Sequence, residues 1–175
     1  MAYAITLGLD PESAAPVIAM WETLASRGLS EAALRPGYPP HLTLAVFADS
    51  ADPPRLIAAA RELAGKWRRC KVSFVSLGLF PGTPTTLFLA PVVTTTLIGQ
   101  HRDLLSCLAD QPVTPHYQVG RWVPHATLAS DLTDPTAAVA SLDPPKLPIA
   151  AVLDRIEVVR FRPIEILESH RLIAS

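Results

Sequence analysis

Two nine-residue segments of this chain resemble each other, and they restrict the folds that it can adopt. Residues 37–45 read GYPPHLTLA, and residues 121–129 read RWVPHATLA. In both, an aromatic residue stands three places before a histidine, Pro directly precedes it, and Thr, Leu and Ala follow. His125 lies 84 positions after His41, close to half of the 175 residues. This spacing predicts an internal duplication, because two tandem copies of one unit place equivalent residues half a chain apart.

The hydrophobic periodicity predicts the same order of elements in both halves. Each half is expected to run strand, helix, Pro-His strand, helix, strand: residues 3–9, about 11–27, 41–47, about 56–67 and 71–80, then 86–92, about 95–109, 125–129, about 135–141 and 149–161. A last strand is expected at residues 164–172. We therefore expect an α+β fold in one domain, residues 1–175. It would have two lobes, approximately residues 1–84 and 85–175, related by a pseudo-twofold axis. Each lobe would hold an antiparallel sheet with helices on its outer face, and a cleft would lie between the lobes.

Strand alternation places the polar residues of each motif together. Side chains two apart on a strand share a face, so His41 and Thr43 are expected on one face and the leucines beside Thr43 on the other. The same rule brings His125 and Thr127 together. Each copy thus presents an imidazole beside a hydroxyl group.

These residue types suit acid-base chemistry at a phosphate. The small Ala45 and Ala129 are expected to continue the polar face and leave room for a ligand. An imidazole, with a pKa of about 6.5, gives or takes a proton near neutral pH, so two can serve as base and acid, in either assignment. Threonine hydroxyls can bond the non-bridging oxygens of a phosphate. We therefore expect cleavage of a phosphodiester that needs no metal, no cofactor and no covalent intermediate.

Several stretches resemble the two-histidine (2H) phosphoesterase superfamily, the 2′,5′ RNA ligase and cyclic phosphodiesterase group: the two His-x-Thr-Leu motifs and residues 78–82, 87–89 and 122–125. The resemblance implies that His41 and His125 are the catalytic pair and that Thr43 and Thr127 bind the phosphate. It also implies a 2′,3′-cyclic phosphate or a 2′,5′ linkage in a nucleotide or RNA end as substrate, cleaved or, in reverse, ligated.

Four further residues are candidates for substrate contact. Arg121 precedes the second motif and is the best-placed arginine for a phosphate. Tyr38 and Trp122 could stack on an unpaired base at the cleft mouth, or pack the loop before each strand. Phe88 falls by alternation on the cleft side of its strand, where stacking competes with a role in the core. His101 lies among leucines of the third predicted helix, and we expect it to be a hydrogen-bonded core residue.

The composition restricts the partners. A net charge of −1 disfavours long duplex nucleic acid, since proteins that coat it are strongly positive, so any nucleic acid should be short or terminal. Cys70 and Cys107 fit no metal spacing or disulfide framework, and no apolar stretch reaches membrane-spanning length. We expect a cytoplasmic monomer without a membrane partner.

Two other function classes compete with the phosphodiesterase. One is a nucleotide-binding or RNA-end-binding protein that has the same cleft but no catalysis. The other is a metallohydrolase, which is disfavoured because no His, Asp or Glu spacing resembles a metal site. Turnover measured with and without a chelator would separate the three.

Overall fold

The computed structural model describes residues 2–142 and 146–174, and its elements follow the predicted order. The elements are β1 (Ala2–Leu9), α1 (Pro11–Ser26), β2 (His41–Phe47), α2 (Pro53–Ala64), β3 (Cys70–Phe80), β4 (Thr85–Pro91), α3 (Thr95–Cys107), a 3-10 turn (Pro115–Tyr117), β5 (Ala126–Leu132), α4 (Pro135–Ser141), β6 (Ile149–Phe161) and β7 (Glu165–Arg171). The α+β class is confirmed. Residues 1, 143–145 and 175 of the expected domain lie outside the described residues.

Local signals set the ends of the helices. The Asp10 carboxylate accepts a hydrogen bond from the Ser13 backbone N–H at 2.8 Å and begins α1. The Thr94 hydroxyl begins α3 in the same way, with the backbone N–H of Leu97 at 3.2 Å. Gly28 follows α1 with a φ of 68°, a backbone conformation that residues with a Cβ atom rarely adopt. Among the described residues, no helix is both long and apolar enough to cross a membrane.

The seven strands form one antiparallel sheet in the order β2-β1-β6-β3-β4-β5, with β7 beside β6. If β1, β2 and β3 are matched with β4, β5 and β6, this order reads the same from either end, as the predicted pseudo-twofold duplication requires. One detail differs from the prediction, which gave each lobe its own sheet. The third strand of each half pairs with the other half, β3 with β4 and β6 with β1, and β3 and β6 also pair together. These pairings join the two lobes into one sheet.

The curl of the sheet brings its two edge strands together. β2 and β5 stand at opposite ends of the strand order, yet Cα atoms of the two come within 8 Å. The Trp122 indole N–H, from the loop before β5, donates to the Thr43 carbonyl of β2 at 3.0 Å. The Trp21 indole N–H, from α1, donates to the Thr127 carbonyl of β5 at 3.0 Å. Both bonds satisfy carbonyls of the strands that carry the motifs.

One face of the sheet belongs to the core and the other to a cleft. Ile5, Leu7 and Leu9 of β1 are completely buried, in one apolar cluster with residues of the helices. Burial of each such side chain contributes about 1.5–3 kcal/mol. The alternate residues of β1, Ala4 and Thr6, line a cavity instead. One face of the sheet thus packs against the helices in the core, and the other face is available to a ligand.

Candidate active site

The imidazole of His41 is oriented by the backbone just before it. Its Nδ1 lies 2.9 Å from the carbonyl oxygen of Pro39. A carbonyl only accepts, so Nδ1 carries the proton and Nε2 is left for proton transfer. The ring packs on that of Tyr38, with centroids 4.5 Å apart.

His125 repeats this arrangement in the second half. Its Nδ1 donates to the carbonyl of Val123 at 2.8 Å, again two residues earlier. In both copies the accepting residue precedes a proline, which restricts its backbone to extended conformations and so fixes the direction of its carbonyl. The Pro shared by the two sequence segments therefore has a physical role: it holds the acceptor that selects the tautomer of each histidine.

The four motif residues meet in one cleft. A cavity of about 380 Å³ is lined by His41 and Thr43, and an adjoining cavity of about 610 Å³ is lined by His125. The two cavities have three lining residues in common: Tyr117, Thr127 and Ser130. The alternation that predicted His and Thr on one face is confirmed in both strands.

The strands depart from strict alternation after each Thr. In both, the register shifts beside the following Leu, and such a bulge moves the next residues to the opposite face. Ala45 and Ala129, which we expected on the cleft face, are fully buried in the core. That prediction is wrong. Val46 and Ser130 line the cavities instead.

Burial lowers the pKa of both catalytic candidates. Loss of solvent is the largest cause at each, and the backbone hydrogen bond partly offsets it. The negative charge of Glu157 raises the pKa of His41, and a charge on His125 lowers it. Because each imidazolium disfavours the other, the pair holds one proton more easily than two. One neutral and one protonated imidazole is the state that acid-base cleavage requires.

A buried hydrogen-bond network lies behind the first imidazole. The Tyr38 hydroxyl donates to Glu157 Oε2 at 2.8 Å and lies 2.7 Å from the Thr6 hydroxyl. The other carboxylate oxygen of Glu157 accepts from Arg155 Nε and from the Ser169 hydroxyl, both at 3.1 Å. Burial, and next the charge of Glu157, raise the pKa of Tyr38, so its hydroxyl stays protonated and donates. This network holds the ring against which the imidazole packs.

Aromatic rings take the place of that network beside His125. Phe80 stacks on Phe88, with centroids 4.3 Å apart, and meets the His125 ring edge-on at 4.9 Å. Phe88 lies over Gly78 of the neighbouring strand, where a Cβ would come within 2.3 Å of the Phe88 ring. The two histidines therefore have different surroundings, one containing a carboxylate and one apolar.

The remaining predicted residues separate into packing and surface positions. Tyr38 and Phe88 are only 7% and 6% exposed, and both pack under a catalytic candidate. Trp122 has one ring face stacked on His101 at 4.2 Å. His101 is the buried, hydrogen-bonded residue that we expected, bonded to a backbone carbonyl at 2.9 Å. Arg121 is exposed and lines the larger cavity.

Some residues of the site carry little or no signal in the sequence. Tyr117 lines both cavities from a 3-10 turn, which carries no recognisable motif. The position of Ser130 on the cleft face depends on the bulge in β5, which strand alternation alone does not predict. Glu157 did leave a signal, since a carboxylate flanked by Ile156 and Val158 in an apolar strand is costly to bury unless it is bonded.

We expect Gly78→Ala to destabilise the protein by about 1–3 kcal/mol, the usual range for overpacking. The new methyl group would collide with the Phe88 ring, which is held by Phe80. Thermal unfolding measures the change. Gly99→Ala is the matched control, because nothing lies within 4 Å of its Cβ position in α3. It should stabilise by about 0.5–1 kcal/mol. Equal shifts in Tm for the two variants would contradict the close packing at Gly78.

Comparisons with known proteins agree with this architecture. A family model described as the 2′-5′ RNA ligase superfamily matches residues 9–163. The crystal structure of TT0787 of Thermus thermophilus is similar over 100% of both chains, with a TM-score of 0.70 and 17% identity. E. coli LigT complexed with 3′-AMP is similar over 97% of both chains, with a TM-score of 0.66 and 19% identity. Kluyveromyces marxianus Usb1 gives a TM-score of 0.51 over 95% of this chain and 97% of its own, at 13% identity. No curated protein matches.

Proposed function

This chain belongs to the 2′-5′ RNA ligase superfamily, a group of two-histidine phosphoesterases, and we propose that it is a phosphodiesterase whose acid and base are His41 and His125. The substrate would be a 2′,3′-cyclic phosphate or a 2′,5′ linkage in a nucleotide or RNA end. One observation carries the proposal: equivalent Nδ1–carbonyl bonds leave both Nε2 atoms for proton transfer, and both rings line one cleft.

The reaction on a cyclic phosphate would proceed by in-line displacement. The neutral imidazole takes a proton from a water molecule as the water oxygen bonds to phosphorus. The bond from phosphorus to the 2′ or 3′ oxygen breaks, and the protonated imidazole gives its proton to that oxygen. The product is a phosphomonoester, and proton exchange with solvent restores the pair. In the ligation direction a nucleotide hydroxyl group takes the place of water: the neutral imidazole accepts its proton as its oxygen bonds to phosphorus, and the bond from phosphorus to the 2′ or 3′ oxygen breaks as that oxygen is protonated. Each proton transfer typically contributes about 10²- to 10⁴-fold.

Hydroxyl groups would stabilise the phosphate as its charge redistributes. Thr43 and Thr127 share a strand face with the two histidines and line the cleft. We assign them to the non-bridging oxygens, to which a hydroxyl donates without a change of protonation. We also assign Arg121 to a phosphate of the ligand, because it lines the cavity at His125 and the donors of a guanidinium group match the geometry of phosphate oxygens.

The proposed ligand is a small nucleotide or an RNA terminus bound by a monomer in the cytoplasm. The fold neighbour E. coli LigT has been crystallised with 3′-AMP, with NADP+ and with ATP. Those complexes support a nucleotide in an equivalent cleft. The net charge of −1 supports a short ligand over a long duplex.

A chelator experiment tests this function against its two competitors. The protein would be incubated with nucleoside 2′,3′-cyclic phosphates and with 2′,5′-linked dinucleotides, in buffer with and without excess EDTA. We expect turnover at the same rate in both buffers. Turnover that EDTA abolishes would indicate a metallohydrolase, although the described residues include no group of three His, Cys, Asp or Glu that could hold a metal ion. Binding without turnover would indicate a non-catalytic nucleotide-binding protein.

A further inference from the structure

The two cavities of the cleft differ in charge. The described residues around the smaller cavity, at His41, include no Asp, Glu, Lys or Arg. Those around the larger cavity, at His125, include Arg121 and the exposed His116, and again no acidic residue. A cleft that is neutral on one side of its reacting centre and cationic on the other favours a ligand with an additional negative charge on one side only.

Arg121 is free to meet such a charge. Its side chain is exposed, and among the described residues no hydrogen bond or ion pair engages its guanidinium group. A guanidinium group can form two parallel hydrogen bonds with a phosphate. Several other arginines of the described chain are already paired, for example Arg155 with Asp154 and Glu157. The cation on the wall of the larger cavity is therefore available to a ligand.

The same cavity offers an aromatic surface. Phe80 lines it, is half-buried, and is supported from behind by Phe88, which is itself fixed over Gly78. An aromatic ring held in this way loses little freedom when a flat ligand stacks on it, and unpaired bases commonly stack on such rings. The edge-on contact of Phe80 with His125 places this surface beside the proposed reacting phosphate.

We propose that the larger cavity is a subsite for a second nucleotide, whose base stacks on Phe80 and whose phosphate pairs with Arg121, with His116 nearby. This inference rests on the proposed function and narrows its substrate class. The terminal nucleoside lies in the smaller, uncharged cavity, and the cyclic phosphate lies between the histidines. The preceding nucleotide, joined through the 5′ phosphate of the terminal one, lies in the larger cavity. The preferred substrate is thus an RNA end of two or more nucleotides.

Three substrates separate the contributions of the phosphate and the base. They are adenosine 2′,3′-cyclic phosphate, the same compound with a 5′ phosphate, and the dinucleotide ApA ending in a 2′,3′-cyclic phosphate. We expect kcat/KM to rise about tenfold or more with the added phosphate, as a charge-assisted pair with Arg121 would give, and to rise again with the second base. Equal kcat/KM for all three would overturn the subsite and leave the phosphodiesterase standing. Turnover of none of them would overturn the subsite, and the proposed function itself would be refuted if 2′,5′-linked dinucleotides were not cleaved either.

Variants then locate the subsite. Arg121→Gln should lower the ratio of kcat/KM between the phosphorylated and unphosphorylated mononucleotides about tenfold. Phe80→Leu should lower the ratio between ApA and the phosphorylated mononucleotide. Ratios cancel any general loss of activity, so a distorted His125 cannot imitate either result. Arg61→Gln removes the same charge from α2, and it should leave both ratios unchanged. Ratios that stay at the wild-type value in Arg121→Gln would overturn the assignment of the phosphate.

Discussion

Replacement of His41 or of His125 by Ala is expected to lower kcat on the best substrate by about 10²- to 10⁴-fold, without unfolding the protein. Each imidazole is partly exposed to the cleft, and its one hydrogen-bond partner in the described part of the chain is the backbone carbonyl two residues before it. Its removal therefore deletes an acid or a base and opens no large cavity in the core. Steady-state kinetics measures the loss, and circular dichroism with thermal unfolding verifies the fold.

The double variant and a control variant outside the cleft test the paired scheme further. If the two residues act in one displacement step, the loss in the double variant should be far smaller than the product of the single losses. His170→Ala, on β7, changes a histidine outside the cleft and should retain the wild-type rate. A wild-type rate in either His41→Ala or His125→Ala would refute the paired scheme.

Removal of the Glu157 carboxylate is expected to cost about 3 kcal/mol of folding free energy in Glu157→Ala. The carboxylate is 3% exposed and accepts bonds from Tyr38, Arg155 and Ser169. Without it, Tyr38 and Arg155 lose an acceptor while still largely shielded from water. Chemical denaturation measures the change. Glu165→Ala removes an exposed ion pair on β7 and should stay within about 1 kcal/mol of the wild type. A similarly small change in Glu157→Ala would show that the network does not support the fold.

Glu157→Gln tests how the same carboxylate acts on His41. The negative charge of Glu157 raises the pKa of His41, whereas Arg155 and His125 lower it. With Gln the pKa of His41 falls further, so this imidazole loses its proton at a lower pH. If His41 is the acid, the alkaline limb of the pH-rate profile moves to lower pH; if it is the base, the acidic limb does.

The limb that belongs to His125 provides an internal control. The causes that set the pKa of His125 are burial and the Val123 carbonyl, and neither involves Glu157. Because the two imidazoles are coupled, its limb should move less than the limb of His41 in Glu157→Gln. The limb that moves further identifies the role of His41. A profile in which neither limb moves would contradict the electrostatic coupling between Glu157 and His41.

Much of this fold could be predicted because its signals are local. Hydrophobic periodicity gave the order of helices and strands, and capping residues such as Asp10 set helix ends through bonds to residues three positions away. The alternation of a strand placed His and Thr on one face in both copies. The continuous sheet was not predicted, since pairing of β3 with β6 joins segments that share no sequence pattern.

The site was predicted less completely than the fold. Its motif residues were found because they repeat. For Trp122 the sequence left two interpretations open, stacking on a base or packing of the loop before the strand. Its indole N–H donates to the Thr43 carbonyl, 79 residues away, which is a contact of the packing kind. The bulges that turn Ala45 and Ala129 into the core depend on how each strand pairs with its neighbour.

The sequence by itself determined that this chain is a duplication with an imidazole and a hydroxyl group side by side in each copy. Such information lies within a few residues, where backbone geometry alone relates side chains. The two segments already differ where Gly37 and Pro39 of one stand against Arg121 and Val123 of the other. Only the tertiary structure decided what surrounds each histidine. The carboxylate near His41 reaches Tyr38 across 119 positions, and the rings around His125 come from β3 and β4. Contacts over such separations form when strands pair and the sheet curls, so the matched segments alone did not show them.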